Sequence, residues 1–149
     1  MLESFFEWMS RTAIAQALGM SAWAYAIIQA FHLVALAIFF GAVLIVDLRL
    51  MGWVLKDRPV ADVARDARPW FIGGFLALVA TGVPQMMQNA MREYYSEYFW
   101  FKMWVLLFAL ILAVTIRRKV AFSDQARTGG LLPKLVGFAS AVMWIAVAA

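Results

Sequence analysis

The chain has 149 residues, of which 65% are hydrophobic and only 15% are charged, and its formal net charge is +4. Because a soluble domain carries about 25% charged residues, this composition predicts a single polytopic membrane domain over residues 1–149. The absence of cysteine excludes disulfides, iron–sulfur clusters and thiolate metal sites. The small basic excess is typical of loops that orient a membrane protein, so it predicts the lipid bilayer and not nucleic acid as the partner.

The first twenty residues are not expected to be a secretory signal, because Glu3 and Glu7 stand where a positively charged region belongs. Apolar and polar residues alternate in residues 1–20 at loosely helical spacing. This pattern predicts a short amphipathic helix lying on the membrane surface. The alternative is that the helix caps the bundle or docks on a partner subunit.

Four apolar segments follow, each expected to cross a hydrocarbon core of about 30 Å as a helix. The predicted crossings are residues 24–46, 70–88, 99–116 and 131–149. Asp47 is interpreted as a polar stop at the interface, and the segment before Trp70 as a short interfacial helix. The last crossing includes Lys134, so either this side chain snorkels to the interface or the natural chain is longer. The predicted fold is an all-α, polytopic four-helix membrane bundle.

The basic residues of the loops predict the orientation of the chain. Those of the first loop are Arg49, Lys56, Arg58, Arg65 and Arg68, the second loop has Arg92, and the third has Arg117, Arg118, Lys119 and Arg127. Because Lys and Arg concentrate in cytoplasmic loops, the first and third loops are expected inside. This predicts a bacterial inner-membrane protein with both termini in the periplasm.

Small residues predict close helix contacts in two of the crossings. Gly73, Ala77 and Thr81 are spaced by four, as are Gly137 and Ala141, and small residues at this spacing let helices approach closely. These flat faces are expected to pack within the bundle, or to dock subunits of a membrane complex or a second copy. The alternative for the second crossing is a face that leaves room for a planar ligand.

A polar stripe inside the first crossing is the strongest functional signal. His32, the only histidine, lies three residues after Gln29 and shares a helix face with Tyr25. Polar groups at this depth cannot face lipid without cost, so the stripe is expected to face another helix, a cavity or a cofactor. One interpretation is a hydrogen bond between helices, with Gln29 or Tyr25 as the partner of His32.

Further donor groups are predicted at the same level of the membrane. His32 lies ~12 Å from the outer end of its helix, Lys102 opens the third crossing, and Met86 and Met87 close the second. An imidazole with a thioether or a neutral lysine, surrounded by aromatic residues, suits a haem b site. The alternatives are a soft Cu(I) site built on the methionines and His32, methionines that only fill gaps, and a lysine that only snorkels.

The residues Phe31-His32-Leu33, Gly41 and the ending VDLRLMG at residues 46–52 resemble a family of small four-helix bacterial membrane proteins of unassigned function. More distantly, the layout is similar to CopD-like copper-resistance proteins and to the HemJ-type protoporphyrinogen oxidase. The second resemblance implies that His32 and Lys102 are haem-linked residues. Arg49 falls near the HemJ-type arginine, although Asp47-Leu48 replaces the leucine-proline that precedes it there.

The resulting hypothesis is a haem-b-binding membrane protein that takes part in electron transfer or an oxidoreductase step. No catalytic residue is assigned, and whether the chain is an enzyme stays open. The alternatives are a non-catalytic accessory subunit of a larger membrane complex and a copper-handling membrane protein.

Overall fold

The computed structural model describes residues 1–123 and 130–148, and every regular element within these residues is helical. The helices are α1 Leu2–Ser10, α2 Ala13–Met20, α3 Ala22–Leu50, α4 Val60–Gln88, α5 Ala90–Tyr94, α6 Glu97–Leu112, a π-helical segment Ala113–Arg117, α7 Arg118–Ala121 and α8 Leu131–Ala148. The prediction of an all-helical chain is confirmed. Arg127, counted in the third loop, and Ala149, the last residue of the fourth crossing, lie outside the described residues.

Three helical runs are long and apolar enough to cross a membrane, namely Ala22–Leu50, Val60–Gln88 and Glu97–Ala121. The apolar run Leu131–Val147 is shorter. This is consistent with a multi-pass membrane protein. Each of the three longer helices continues beyond its predicted crossing, because polar residues at its ends extend the helix.

Two segments predicted to be interfacial helices have other helix boundaries in the structure than the sequence predicts. Residues 1–20 form two helices, because the chain turns at Arg11 and restarts at Thr12, whose hydroxyl caps α2 by accepting a 3.4 Å hydrogen bond from Ala15 N. The segment before Trp70 is continuous with the second crossing in α4. Pro69 deprives the helix of one donor, but the helix runs through it.

The described residues cluster into two compact units, and the first comprises Met1–Ala37 and Gly73–Phe101. In this first unit α1 packs against α5. Phe6 is 5% exposed, and its ring centroid lies 5.3 Å from that of Tyr94 and 6.2 Å from that of Trp100. The opposite face of α1 leaves Phe5 and Trp8 exposed. The N-terminal helix is therefore amphipathic and caps this unit.

The second unit comprises Ile38–Ile72 and Lys102–Ala149. Its core joins residues of α3, α4, α7 and α8, all of them apolar: Ala42, Val46, Leu50, Val60, Val63, Ala67, Val120, Ala121 and Val136. Gly137 allows α8 to approach α3, since a Cβ at this position would lie 2.7 Å from Asp47 O. The small-residue prediction for the fourth crossing is confirmed at Gly137.

Contacts within the second unit account for the DLRL ending of α3, residues 47–50. Asp47 is fully buried and accepts a 2.7 Å hydrogen bond from Ser140 Oγ, so it packs inside the second unit, and its interpretation as an interfacial stop stays a prediction. Arg49 Nε donates to Arg58 O at 2.8 Å and holds the following loop. Gly52 ends the helix with φ of 76°, a conformation that favours glycine.

Candidate functional site

The candidate site is a cavity of about 230 Å³ in the first unit, called here the His32 cavity. From α3 it is lined by Tyr25 and His32, which lie seven residues apart and therefore on one helix face. From the last turns of α4 it is lined by Gly82, Gln85 and Met86. The cavity therefore lies where the polar stripe of the first crossing meets the end of the second.

A hydrogen bond to α4 fixes the ring of His32. Its Nδ1 lies 2.8 Å from Thr81 Oγ1, which lies 2.7 Å from Ala77 O. The carbonyl can only accept, so the single hydroxyl hydrogen of Thr81 is directed along the helix. The hydroxyl oxygen then accepts from His32 Nδ1–H. This assignment leaves His32 Nε2 with its lone pair, the state in which imidazole binds a metal or accepts a proton.

The imidazole fits against α4 because residue 82 is glycine. A Cβ at Gly82 would lie 3.2 Å from Cε1 and 3.7 Å from Nδ1 of His32. A larger residue would require the ring to shift by a few tenths of an ångström. Gly82 therefore contributes to the position of the imidazole beside the hydrogen bond.

The remaining lining adds amide and carboxylate groups. Asn89, Glu93 and Phe99 complete the cavity. Gln85 Nε2 donates to Thr81 O at 3.1 Å, and Asn89 Nδ2 donates to Gln85 O at 3.3 Å. Both amide groups are thereby held on the helix that bears Thr81. The cavity thus combines one imidazole nitrogen, one thioether and several oxygen acceptors, a donor set suited to a metal-containing ligand.

A family model describing a family of unknown function (DUF6644) matches residues 5–149. The chain belongs to this family. The match confirms the resemblance to a family of unassigned function, whereas the similarity to CopD-like and HemJ-type proteins stays a prediction. A search of curated proteins and a search of solved structures each find no match.

The structure brings together some of the predicted site residues. Tyr25, His32 and Met86 line the His32 cavity, whereas Gln29 does not. Met87 packs instead against the apolar cluster around Phe6. The predicted partner of His32, Gln29 or Tyr25, is replaced by Thr81, since α4 presents a hydroxyl within reach of the ring.

Lys102 is exposed and belongs to the second unit, so its pairing with His32 stays a prediction. Within residues 1–123 and 130–148, no group of three or more His, Cys, Asp or Glu residues could hold a metal ion. Any metal at the His32 cavity would therefore depend on His32 together with donors of other types, such as Met86.

Sequence reasoning missed part of the site. Thr81 is predicted only as a small residue of a face that packs or leaves room for a planar ligand. However, Thr81 and Gln85 lie four residues apart on one face of α4, and Asn89 continues the same spacing just beyond the helix. That spacing was the available signal. Gly73, assigned to the same packing face, has open space around it, with no atom within 4 Å of a Cβ there. Close packing at Gly73 is therefore not found within the chain, and docking of this face on a partner subunit or a second copy stays a prediction.

Proposed function

We propose that the chain is an integral membrane protein that binds haem b through His32 and takes part in electron transfer or an oxidoreductase step. The observation that carries the proposal is the hydrogen bond from His32 Nδ1 to Thr81, which leaves Nε2 as the ligand atom. Histidines that bind metals characteristically donate their other ring N–H to a fixed acceptor. Bound haem supplies an iron that takes up and releases one electron at a time.

The first unit would supply His32 as one protein ligand of the haem iron and would enclose only part of the porphyrin. His32 would hold the iron, and Met86 is a second donor in the same cavity. Lys102, which does not line this cavity, is the further ligand that the sequence predicts. Small-molecule sites that enclose their ligand measure about 300–1,000 Å³, whereas the His32 cavity measures about 230 Å³. A porphyrin would therefore extend beyond the space enclosed by the first unit.

The volume of the cavity favours copper handling as a second candidate. A bare metal ion needs no cavity of porphyrin size, and imidazole with a thioether is a donor pair suited to Cu(I). His32 and Met86 line the same cavity and supply that pair. The third candidate, an accessory subunit without a cofactor, is favoured if neither ligand binds.

The membrane arrangement belongs to the same proposal. We infer a four-helix bundle in a bacterial inner membrane, with α8 as the fourth crossing and both termini periplasmic. The 18 residues of α8 span about 27 Å, close to the thickness of a hydrocarbon core. Single cysteines replacing the exposed Asp57 and Glu97 form a matched test with an impermeant thiol reagent in intact cells. Labelling at 97 and not at 57 is expected, and the reverse would overturn the orientation.

The haem proposal is tested by absorption and magnetic circular dichroism of protein purified from membranes. A Soret band is expected in the wild type and in Gln29→Ala, which alters the same helix outside the cavity. The band should disappear in His32→Ala. Lys102→Met should change the spectrum if the lysine is the second ligand. An unchanged Soret band in His32→Ala would end the proposal.

Copper is tested by titrating the protein with Cu(I) in competition with a chelator. Met86→Leu and Met87→Leu are a matched pair, because only Met86 lines the cavity. Weaker binding in Met86→Leu alone, together with the absence of a Soret band from the wild type, favours copper handling. No Soret band and no Cu(I) binding favour the accessory subunit.

A further inference from the structure

The second unit contains a larger cavity of about 520 Å³, called here the arginine cavity. One part of its wall is apolar and includes Phe71 and Ile72 of α4 and Val114 of the π-helical segment. Its volume lies within the range of about 300–1,000 Å³ typical of small-molecule sites. It is therefore large enough to enclose part of an amphiphilic molecule.

Arginines line the same cavity. Arg65, Arg68 and Arg118 contribute to the wall, and no acidic residue among those that the structure describes does so. Arg65 pairs with Asp62 at 3.4 Å, and the other acid of this turn, Asp66, pairs with Arg58 at 2.9 Å.

The carboxylates of Asp62 and Asp66 are thus directed to Arg65 and to Arg58, which does not line the cavity. Arg68 and Arg118 are therefore the basic side chains of the cavity wall that can bind an anion.

The local backbone supports a binding role for this wall. Ala113 and Val114 line the cavity and belong to the π-helical segment Ala113–Arg117. A π-helical turn inserted in an α-helix is uncommon and frequently marks a functional site. Here the π-helical segment directly precedes Arg118, the first residue of α7.

We propose that the arginine cavity binds an anionic phospholipid, with one acyl chain against the apolar wall and the phosphate at Arg68 and Arg118. Charge complementarity selects an anion, since arginine binds phosphate through paired N–H groups. The apolar wall selects an anion that carries a hydrocarbon chain. Basic pockets between membrane helices are recognised sites for anionic lipid head groups. The proposal concerns the second unit and does not depend on a ligand at His32.

The test measures lipids retained by the whole chain in native mass spectrometry, from micelles containing equal phosphatidylglycerol and phosphatidylcholine. The wild type should retain phosphatidylglycerol preferentially. Arg68 and Arg118 are exposed, so the double variant Arg68→Gln/Arg118→Gln should leave the core unaltered. Its preference for phosphatidylglycerol should fall about fivefold for each arginine removed. Lys119→Gln is the matched control, an adjacent exposed base outside the cavity wall.

An unchanged preference in the double arginine variant would overturn the proposal, as would an equal loss in Lys119→Gln. Val114→Phe tests the apolar part, because this exposed wall residue tolerates a larger side chain that obstructs the cavity. It should lower the retention of both lipids, and unchanged retention would refute the acyl-chain site. Binding of inorganic phosphate by a wild type that shows no preference for phosphatidylglycerol over phosphatidylcholine would overturn the assignment to a lipid.

Discussion

His32 Nδ1 lies 2.8 Å from Thr81 Oγ1, and this hydrogen bond joins the only histidine of the chain to α4. The bond has two consequences. It satisfies a polar group in an apolar helix, and it orients the ring so that Nε2 is the free nitrogen. The same contact can therefore stabilise the first unit and prepare a ligand, and these two roles can be measured separately.

Removal of the Thr81 hydroxyl is expected to weaken both roles. Thr81→Val keeps the branched shape and removes the acceptor for His32 Nδ1–H. Hydrogen bonds between membrane helices contribute about 1 kcal/mol, so the free energy of unfolding in detergent should fall by roughly that amount. Thr81→Ser keeps a hydroxyl and should retain most of the stability. A loss in Thr81→Ser with none in Thr81→Val would show that the methyl group, and not the bond, matters.

Addition of a methyl group at Gly82 is expected to displace His32. Alanine is the better helix former by about 1 kcal/mol, so Gly41→Ala in α3, which has open space, should be neutral or stabilising. Gly82→Ala should lack this gain, because its Cβ would meet His32 Cε1 at 3.2 Å. Thermal unfolding measures the difference, and haem or Cu(I) affinity should fall in Gly82→Ala alone. Identical behaviour of the two variants would contradict the role of Gly82.

The sequence was sufficient to predict the helices and the polar stripe, because apolar length and an isolated histidine are properties of one segment. It was not sufficient to predict the partners. Ser140 and Asp47 are 93 residues apart. Nothing in the sequence around Thr81 indicates that its hydroxyl bonds His32 of α3. The burial of Asp47 could not be predicted from α3 alone, because it depends on the packing of α8.

The contact between Tyr95 and Glu3 is expected to make the docking of α1 sensitive to alkaline pH. Tyr95 Oη donates to Glu3 Oε1 at 2.8 Å. This hydrogen bond, aided by the negative charge of Glu3, raises the pKa of Tyr95 above its ordinary value. The stabilisation is therefore fully present below about pH 10, the unfolded value, and is lost as the pH rises through the folded pKa.

The measurement is the thermal midpoint in detergent between pH 8 and pH 11. The wild type should lose more stability over this range than Tyr95→Phe, which has no hydroxyl to ionise. Tyr98→Phe is the control, since Tyr98 is 82% exposed and should behave as the wild type does. Parallel pH profiles for wild type and Tyr95→Phe would refute the prediction.

Two glycines of the predicted packing faces should respond oppositely to alanine. Gly137→Ala places a Cβ 2.7 Å from a backbone oxygen of α3, and overpacking of this kind costs about 1–3 kcal/mol. Gly73→Ala meets open space and should cost nothing within one chain. Unfolding in detergent distinguishes them. A large loss of stability at Gly73 would instead indicate a contact with a second copy or a partner subunit.

The last prediction concerns Asp47 and Ser140, both fully buried in the second unit. Ser140→Ala removes the donor to Asp47 Oδ2, and the free energy of unfolding should fall by about 1 kcal/mol. Ser123→Ala is the control, because its hydroxyl donates to Val120 O in the preceding turn, and its effect should be smaller.

A double-mutant cycle then separates the bond from the packing. Asp47→Asn preserves shape, so the loss in Asp47→Asn/Ser140→Ala should differ from the sum of the single losses by 0.5 kcal/mol or more, as is typical of residues in contact. Additive losses would mean that the two residues act independently. In that case the position of α8 would depend on the close approach at Gly137 and not on the hydrogen bond.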